Sequence, residues 1–221
     1  MSTHFVNLLD GLRRRSLRMA SSVEDMLEEA CDAALRADQT LAQRVIARDK
    51  EIDSEEVEVE AEVIHLITLF QPMASDMRLL CTVLKANSDL ERIADCAVNI
   101  AERARHLHAD NVSEDLKAAG ELAAVVRQML HGAVQAYGVE AEDAARGVLS
   151  QEEAADALYG QIIKKVVVAA AGTPQALADY LDLLSIAKNL ERIADHATNI
   201  AEDVIFLVTG QIVRHQHSEP E

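Results

Sequence analysis

Leu90-Glu91-Arg92-Ile93-Ala94-Asp95-Cys96-Ala97-Val98-Asn99-Ile100-Ala101-Glu102 is answered one hundred residues later by Leu190-Glu191-Arg192-Ile193-Ala194-Asp195-His196-Ala197-Thr198-Asn199-Ile200-Ala201-Glu202. Eleven of the thirteen positions are identical, so the chain carries two copies of one unit. Upstream, Arg48-Asp49-x-x-x-Asp53 returns more faintly as Gln151-Glu152-x-x-x-Asp156. Each copy thus places one acidic motif on its second helix and a longer one on its third.

Working outward, sparse punctuation divides the chain into six helices. The first spans about 5–36, and Asp38 is placed to cap a second that continues to Phe70. Gln71-Pro72 breaks the chain, because the ring removes a donor and restrains the residue before it. A third helix covers about 74–109. Asn111-Val112-Ser113, followed by Glu114 and Asp115, reads as a capped start for a fourth, which runs to Arg146 and stops at Gly147. Ser150-x-x-Glu153 is a capping box for the fifth. Gly172-Thr173-Pro174 supplies a stop, a cap and a first-turn proline for the sixth, which reaches about Thr209. Helices joined by short turns pack antiparallel. The expected fold is all-α: two tandem antiparallel three-helix bundles at 5–109 and 113–209, then a polar tail at 210–221.

One stretch opposes this reading. Glu56-Val57-Glu58-Val59-Glu60-Ala61-Glu62-Val63 alternates as a half-buried strand does. Yet Val45, Ile52, Val59 and Leu66 recur every seven residues through it, joined by Val63 and Phe70, and no turn signal bounds it. The longer period decides for helix.

Composition agrees. Aromatic residues are only 3% of the 221 and Trp is absent, which disfavours a sheet-rich core. A formal charge of −17 would repel a phosphate backbone, so nucleic acid is excluded as a partner and divalent cations or basic protein surfaces are favoured. Cys31, Cys81 and Cys96 lack zinc or redox spacing and read as small core residues of a reduced, cytoplasmic protein. The apolar run from Ile162 to Ala171 contains Lys164-Lys165 and is too short to span a bilayer, so no membrane insertion is expected. Arg13-Arg14-Arg15 follows the first apolar residues, the reverse of a signal peptide.

Residues four apart on a helix lie about 40° apart around its axis. Glu91, Asp95, Asn99 and Glu102 therefore form one stripe of oxygen donors, repeated by Glu191, Asp195, Asn199 and Glu202. The four offsets persist although the copies have diverged elsewhere, and none of these positions is Lys. On the second helix, Asp49 and Glu56 lie beside the Val45-Ile52-Val59 seam, with Asp53 and Glu60 flanking it. Carboxylates there need a positive partner. A cation is one; Arg92 and Arg192, in an ion-pair network without metal, are the other. An oxygen-rich donor set suits iron, manganese, magnesium or zinc more than a soft metal.

Other motifs are weaker. Glu62-x-x-His65 has the spacing of carboxylate di-iron enzymes, but those need it on two helices. His196 stands where Cys96 stands in the first copy and reads as position-specific filler. Arg103-x-Arg105-His106-x-His108 and Arg214-His215-x-His217 read as basic residues favoured at helix C-termini. No phosphate loop or nucleophile elbow is present, so catalysis is not expected.

These residues carry a resemblance. Two three-helix units, each with Asp/Glu-x-x-x-Asp on the second helix and Leu-Glu-Arg-Ile-x-Asp-x-x-x-Asn-Ile-x-Glu on the third, resemble the PhoU family. The lead-in Gln71-Pro72-Met73-Ala74-Ser75-Asp76-Met77-Arg78 is similar too, and the likeness spans about 5–209. The resemblance implies a cytoplasmic, metal-binding regulator of phosphate homeostasis that restrains phosphate uptake and keeps starvation signalling off. The implied partners are the ATPase of a phosphate ABC transporter, a phosphate-sensing histidine kinase and a second copy in a homodimer. By position, the implied metal ligands are Asp49, Asp53, Glu91 and Asp95 for one site, and Glu152, Asp156, Glu191 and Asp195 for the other. Asn99, Glu102, Asn199 and Glu202 are possible additions. The second copy departs from the pattern: Thr173-Pro174-Gln175-Ala176 replaces the lead-in, and its first motif opens with Glu. A metal-free scaffold held by ion pairs and a carboxylate-bridged metal enzyme are the competing readings.

Overall fold

The computed structural model describes residues 3–213. Six long helices and one short one build it: α1 (Thr3–Arg36), α2 (Gln39–Phe70), α3 (Ser75–Ala104), α4 (Ser113–Val139), α5 (Glu142–Leu149), α6 (Glu152–Gly172) and α7 (Leu177–Thr209). Single 3-10 turns stand at Ala109–Asn111 and Pro174–Ala176, and there is no strand among the described residues. Arg214, His215 and His217 lie outside them.

The heptad reading of α2 holds, because Val45, Ile52, Val59, Val63 and Leu66 are all buried. Asp38 caps that helix, its Oδ1 accepting from the N–H groups of Thr40 and Leu41 at 3.0 Å each. At the other end Gln71 turns left-handed (φ 45°) and its N–H closes on the Ile67 carbonyl before Pro72 prevents continuation.

Three local expectations need correction. The fourth helix does not reach Arg146. It stops at Val139, where Glu140 adopts φ 53° and caps the helix with its N–H on the Ala136 carbonyl. The chain then folds into α5, whose buried Ala145 and Val148 pack against α4 and α7. Gly132 permits this approach, since a Cβ there would meet the Val148 side chain at 3.0 Å. Nor does Ser150 open a capping box. Its hydroxyl donates backward to the Gly147 carbonyl at 2.8 Å, and Gln151 precedes α6 without a side-chain cap. Finally, Asn111 and Thr173 cap nothing: Asn111 donates to Asp179, and Thr173 ends α6 ahead of the 3-10 turn.

Directions follow from paired side chains. Arg15 meets Glu55 across α1 and α2, and Asn87 meets the Glu56 carbonyl across α3 and α2, so each neighbour runs antiparallel to the last. The copies also meet antiparallel. Arg127 reaches Asp32 at 2.7 Å and Arg13 reaches Glu140 at 2.9 Å between α4 and α1. Lys85 reaches Asp203 at 2.9 Å and Arg103 reaches Asp182 at 3.5 Å between α3 and α7. Two antiparallel seams relate the copies by an approximate two-fold axis. Polar side chains meet across the α3–α7 seam, Thr82 Oγ1 donating to the Asp203 carbonyl at 3.3 Å and His196 Nδ1 lying 2.8 Å from Asp89. Buried Cys31 and Cys96 fill core positions, while Cys81 is half-buried.

Candidate metal centre

The antiparallel register of α2 and α3 is fixed by Asn87, whose Nδ2 donates to the Glu56 carbonyl at 2.9 Å, and by Gln39, whose Nε2 donates to the Arg105 carbonyl at 3.4 Å. That register sets Asp49 level with Asp95 and Asp53 level with Glu91. In the second copy the Lys188 ammonium lies 5.4 Å from the Tyr159 ring centre, which fixes α6 against α7 in the matching register. Glu152 then stands level with Asp195, and Asp156 with Glu191. Both copies therefore pair their acidic motifs along one groove, two levels in each.

Electrostatics report the same proximity. Burial pushes the Asp49 carboxyl above its ordinary range, and the charges of Asp53, Asp95 and Glu102 push it further. Burial likewise raises Glu91, with Asp95, Glu56 and Asp53 adding to it and Arg92 opposing. Asp195 is pushed up to about 6 by desolvation first, then by Glu191 and Asp156, against the pull of Lys188. Its solvent exposure is substantial, so the crowding around its carboxyl is one-sided. A carboxylate raised by like charges is one that a cation would relieve.

The structure also supplies cations of its own. Arg92 touches Glu91 at 3.1 Å and Asp95 at 3.0 Å. Lys188 donates to both oxygens of Glu191, at 2.7 and 2.6 Å. Lys188 lies one turn before Glu191 on the same face, so the second stripe holds a Lys just outside the four repeated positions. As placed, no group of three or more His, Cys, Asp or Glu side chains among the described residues is arranged around a single metal position. The donor chemistry still fits a hard cation: oxygen ligands only, with surplus negative charge.

Not all sequence candidates face the groove. Asn199 turns to the other copy and donates Nδ2 to Asp89 on α3 at 3.2 Å, where His196 Nδ1 also meets Asp89 at 2.8 Å. His196 is thus a contact between copies. Glu102 does face Asp49. Glu56 joins the first groove beside Glu91; its spacing of three from Asp53 is the signal that identifies it. Of the weaker motifs, Glu62 lies 3.6 Å from Arg15 and His65 is exposed on α2, with no second copy of the pattern facing it. Arg103 and His108 bridge to Asp182 and Asp179, so their role is larger than complementing a helix dipole.

The PhoU domain family matches residues 16–104 and again 120–204. A relative from Caulobacter vibrioides (strain NA1000 / CB15N), the phosphate-specific transport system accessory protein PhoU homolog, is 37% identical over 200 residues, covering 90% of this chain and 87% of that protein. The protein of the same name from Pseudomonas aeruginosa is 33% identical over 216 residues, 97% of this chain and 89% of its own. The crystal structure of PhoU from Pseudomonas aeruginosa superposes with a TM-score of 0.89 at 31% identity, over 94% of this chain and all of that one. That of the phosphate transport system regulatory protein PhoU from Streptococcus pneumoniae gives 0.85 at 24% identity, over 95% and 99%, a likeness of fold.

Proposed function

The chain belongs to the PhoU family, and from that premise we propose that it is an accessory protein of a phosphate transport system, acting as a metal-binding negative regulator. In this reading it restrains phosphate uptake and phosphate-starvation signalling from the cytoplasm. Its partners are the transporter's ATPase, a phosphate-sensing histidine kinase and a second copy of itself. No helix among the described residues is long and apolar enough to cross a membrane.

The observation that carries the metal part is the levelling of Asp49 and Asp53 against Asp95 and Glu91, repeated by Glu152 and Asp156 against Asp195 and Glu191. Iron, zinc, manganese or magnesium would lie in these grooves and supply the positive charge that the raised carboxylates lack. Asp53, Asp156 and Asp195 are exposed, so both grooves are open to water, which favours a regulator over an enzyme. Metal content of protein purified without chelator, with and without Glu91→Gln/Asp95→Asn and Glu191→Gln/Asp195→Asn, tests it. Metal lost from each groove in turn is the expected result, and no bound metal in the unaltered protein would refute it. The regulatory part is tested in cells: removing the gene should raise phosphate uptake in rich phosphate, and unchanged uptake would count against it.

A second reading has its own support. Arg92 across Glu91 and Asp95, and Lys188 on Glu191, are the ion pairs that a metal-free scaffold requires.

A further inference from the structure

From Ala157 to Ala178 the chain has no acidic residue for twenty-two positions, its longest such stretch, although it carries 38 acids in all. From Asp49 to Glu62 it has eight acids and one Lys. These opposite extremes fall on equivalent helices, α6 and α2. With Glu152 matching Asp49, Val167 matches Ile64 and Lys164 matches Ala61. The matched residues all point outward: Ile64 is 53% exposed and Val167 61%, and Ala61 and Lys164 are both exposed. Val57 on α2 (61%) and Val168 on α6 (75%) widen each apolar strip. Exposed Glu60 flanks one strip and Lys164 and Lys165 flank the other.

We propose that the outer face of α6 docks on the outer face of α2 of a second copy of this chain, Lys164 and Lys165 meeting the acidic flank of α2 while Val167 and Val168 cover Val57 and Ile64. The inference rests on the homodimer reading above and gives it a surface. Charge complementarity selects the occupant. Apolar side chains left in water on both faces gain about 25 cal/mol per Å² when they cover each other. A lipid surface is the rival for α6, since lysines beside exposed valines also suit anionic headgroups. Two lysines are a small patch beside the clusters of roughly four to eight basic residues that hold a protein on such a surface. A second copy instead presents the exposed carboxylate of Glu60, within a stretch of eight acids in fourteen residues, to the same two lysines.

Sedimentation of the full chain tests the idea with Lys164→Glu/Lys165→Glu, which gives α6 the charge of α2, and Glu60→Lys/Ala61→Lys, which does the reverse. All four residues are outside the core, and circular dichroism confirms folding. Each variant alone should associate about tenfold more weakly than the unaltered chain, and high salt should weaken the unaltered chain too. Mixing the two variants should restore association, because each then offers the face the other lost. Association unchanged in both variants, or unrestored on mixing, overturns the proposed surface while sparing the dimer. A chain that is monomeric throughout overturns both, and monomeric chain captured by phosphatidylglycerol vesicles through Lys164 and Lys165 assigns the face to lipid.

Discussion

Asn111, in the link between the two copies, donates its Nδ2 to Oδ2 of Asp179 in the first turn of α7 at 2.7 Å. The same carboxylate accepts from the His108 backbone N–H at 2.9 Å through its other oxygen. Asp179 is 4% exposed, and it ties the end of the first copy to the start of the third long helix of the second. Burial pushes its carboxyl up, but the bonds from Asn111, the His108 N–H and the His108 ring outweigh that and hold it below the usual range.

A carboxylate depressed in this way contributes stability above its unfolded pKa, and that contribution fades as pH falls through the lower folded value. Asp179→Ala should therefore destabilise the protein at neutral pH by about 1–3 kcal/mol, since Asn111 and the His108 N–H and ring all lose this partner. The difference from the unaltered chain should shrink only below about pH 4. Urea melts across the acid range check this; a deficit that is the same at all pH values would contradict it.

The other seam between copies has a buried polar pair. Ser16 Oγ and Tyr137 Oη lie 3.0 Å apart between α1 and α4, and burial pushes the tyrosine up to about 12. Ser16→Ala and Tyr137→Phe should each cost about 1 kcal/mol or more, because each strands a buried hydroxyl or loses a bond. The double variant should cost less than the sum. Strict additivity in a double-mutant cycle would mean that the two do not interact.

How far the sequence speaks for itself differs by feature. The α2 helix was legible against its own alternation, because Val45, Ile52, Val59 and Leu66 set a period longer than the eight alternating residues, and all four are buried. That each copy carries acids on its second and third helices was legible because the repeat kept their offsets, while which acids stand level was implied only by the family resemblance. The break at Glu140 was not. A left-handed residue is usually Gly or Asn, and Glu at that position carries no such mark; the packing of Val148 over Gly132 decides it. Asn199 was misplaced for a different reason. Helical offset says which residues share a face, but α7 lies between α3 and α6, and only the tertiary contact shows that Asn199 faces Asp89.

The raised carboxylates give a pH prediction of opposite sign to that of Asp179. Asp49, Glu91 and Asp195 hold protons more tightly in the fold than in the unfolded chain, Asp195 up to about 6. Without metal, stability is then lost as pH rises from the unfolded carboxylate range through those higher values. In chelator the melting temperature should be higher at pH 5 than at pH 8, by roughly 2–4 °C for each kcal/mol relieved. Saturating metal should flatten that slope, because bound cation replaces the proton. A chelated protein that melts higher at pH 8 than at pH 5 would show that Arg92 and Lys188 already neutralise the grooves.

Glu91→Gln/Asp95→Asn separates the two readings of the first groove most directly. The change keeps side-chain shape, removes two charges that face Asp49 and Asp53, and also removes both partners of Arg92. The Arg92 side chain is 53% exposed, so its pairs are worth about 0–1 kcal/mol. If repulsion among the four carboxylates dominates, the variant should melt at or above the unaltered protein in chelator, and should lose the stabilisation that metal gives by mass action. Arg92→Met then sharpens the answer. Under the metal reading it leaves metal affinity intact or tighter, since a competing cation has gone, and lowers the chelated melting temperature only slightly. Under the scaffold reading it should destabilise the chain as much as the double change does, with metal making no difference to either. Equal losses in Glu91→Gln/Asp95→Asn and Arg92→Met, with and without metal, would assign the first groove to ion pairing alone.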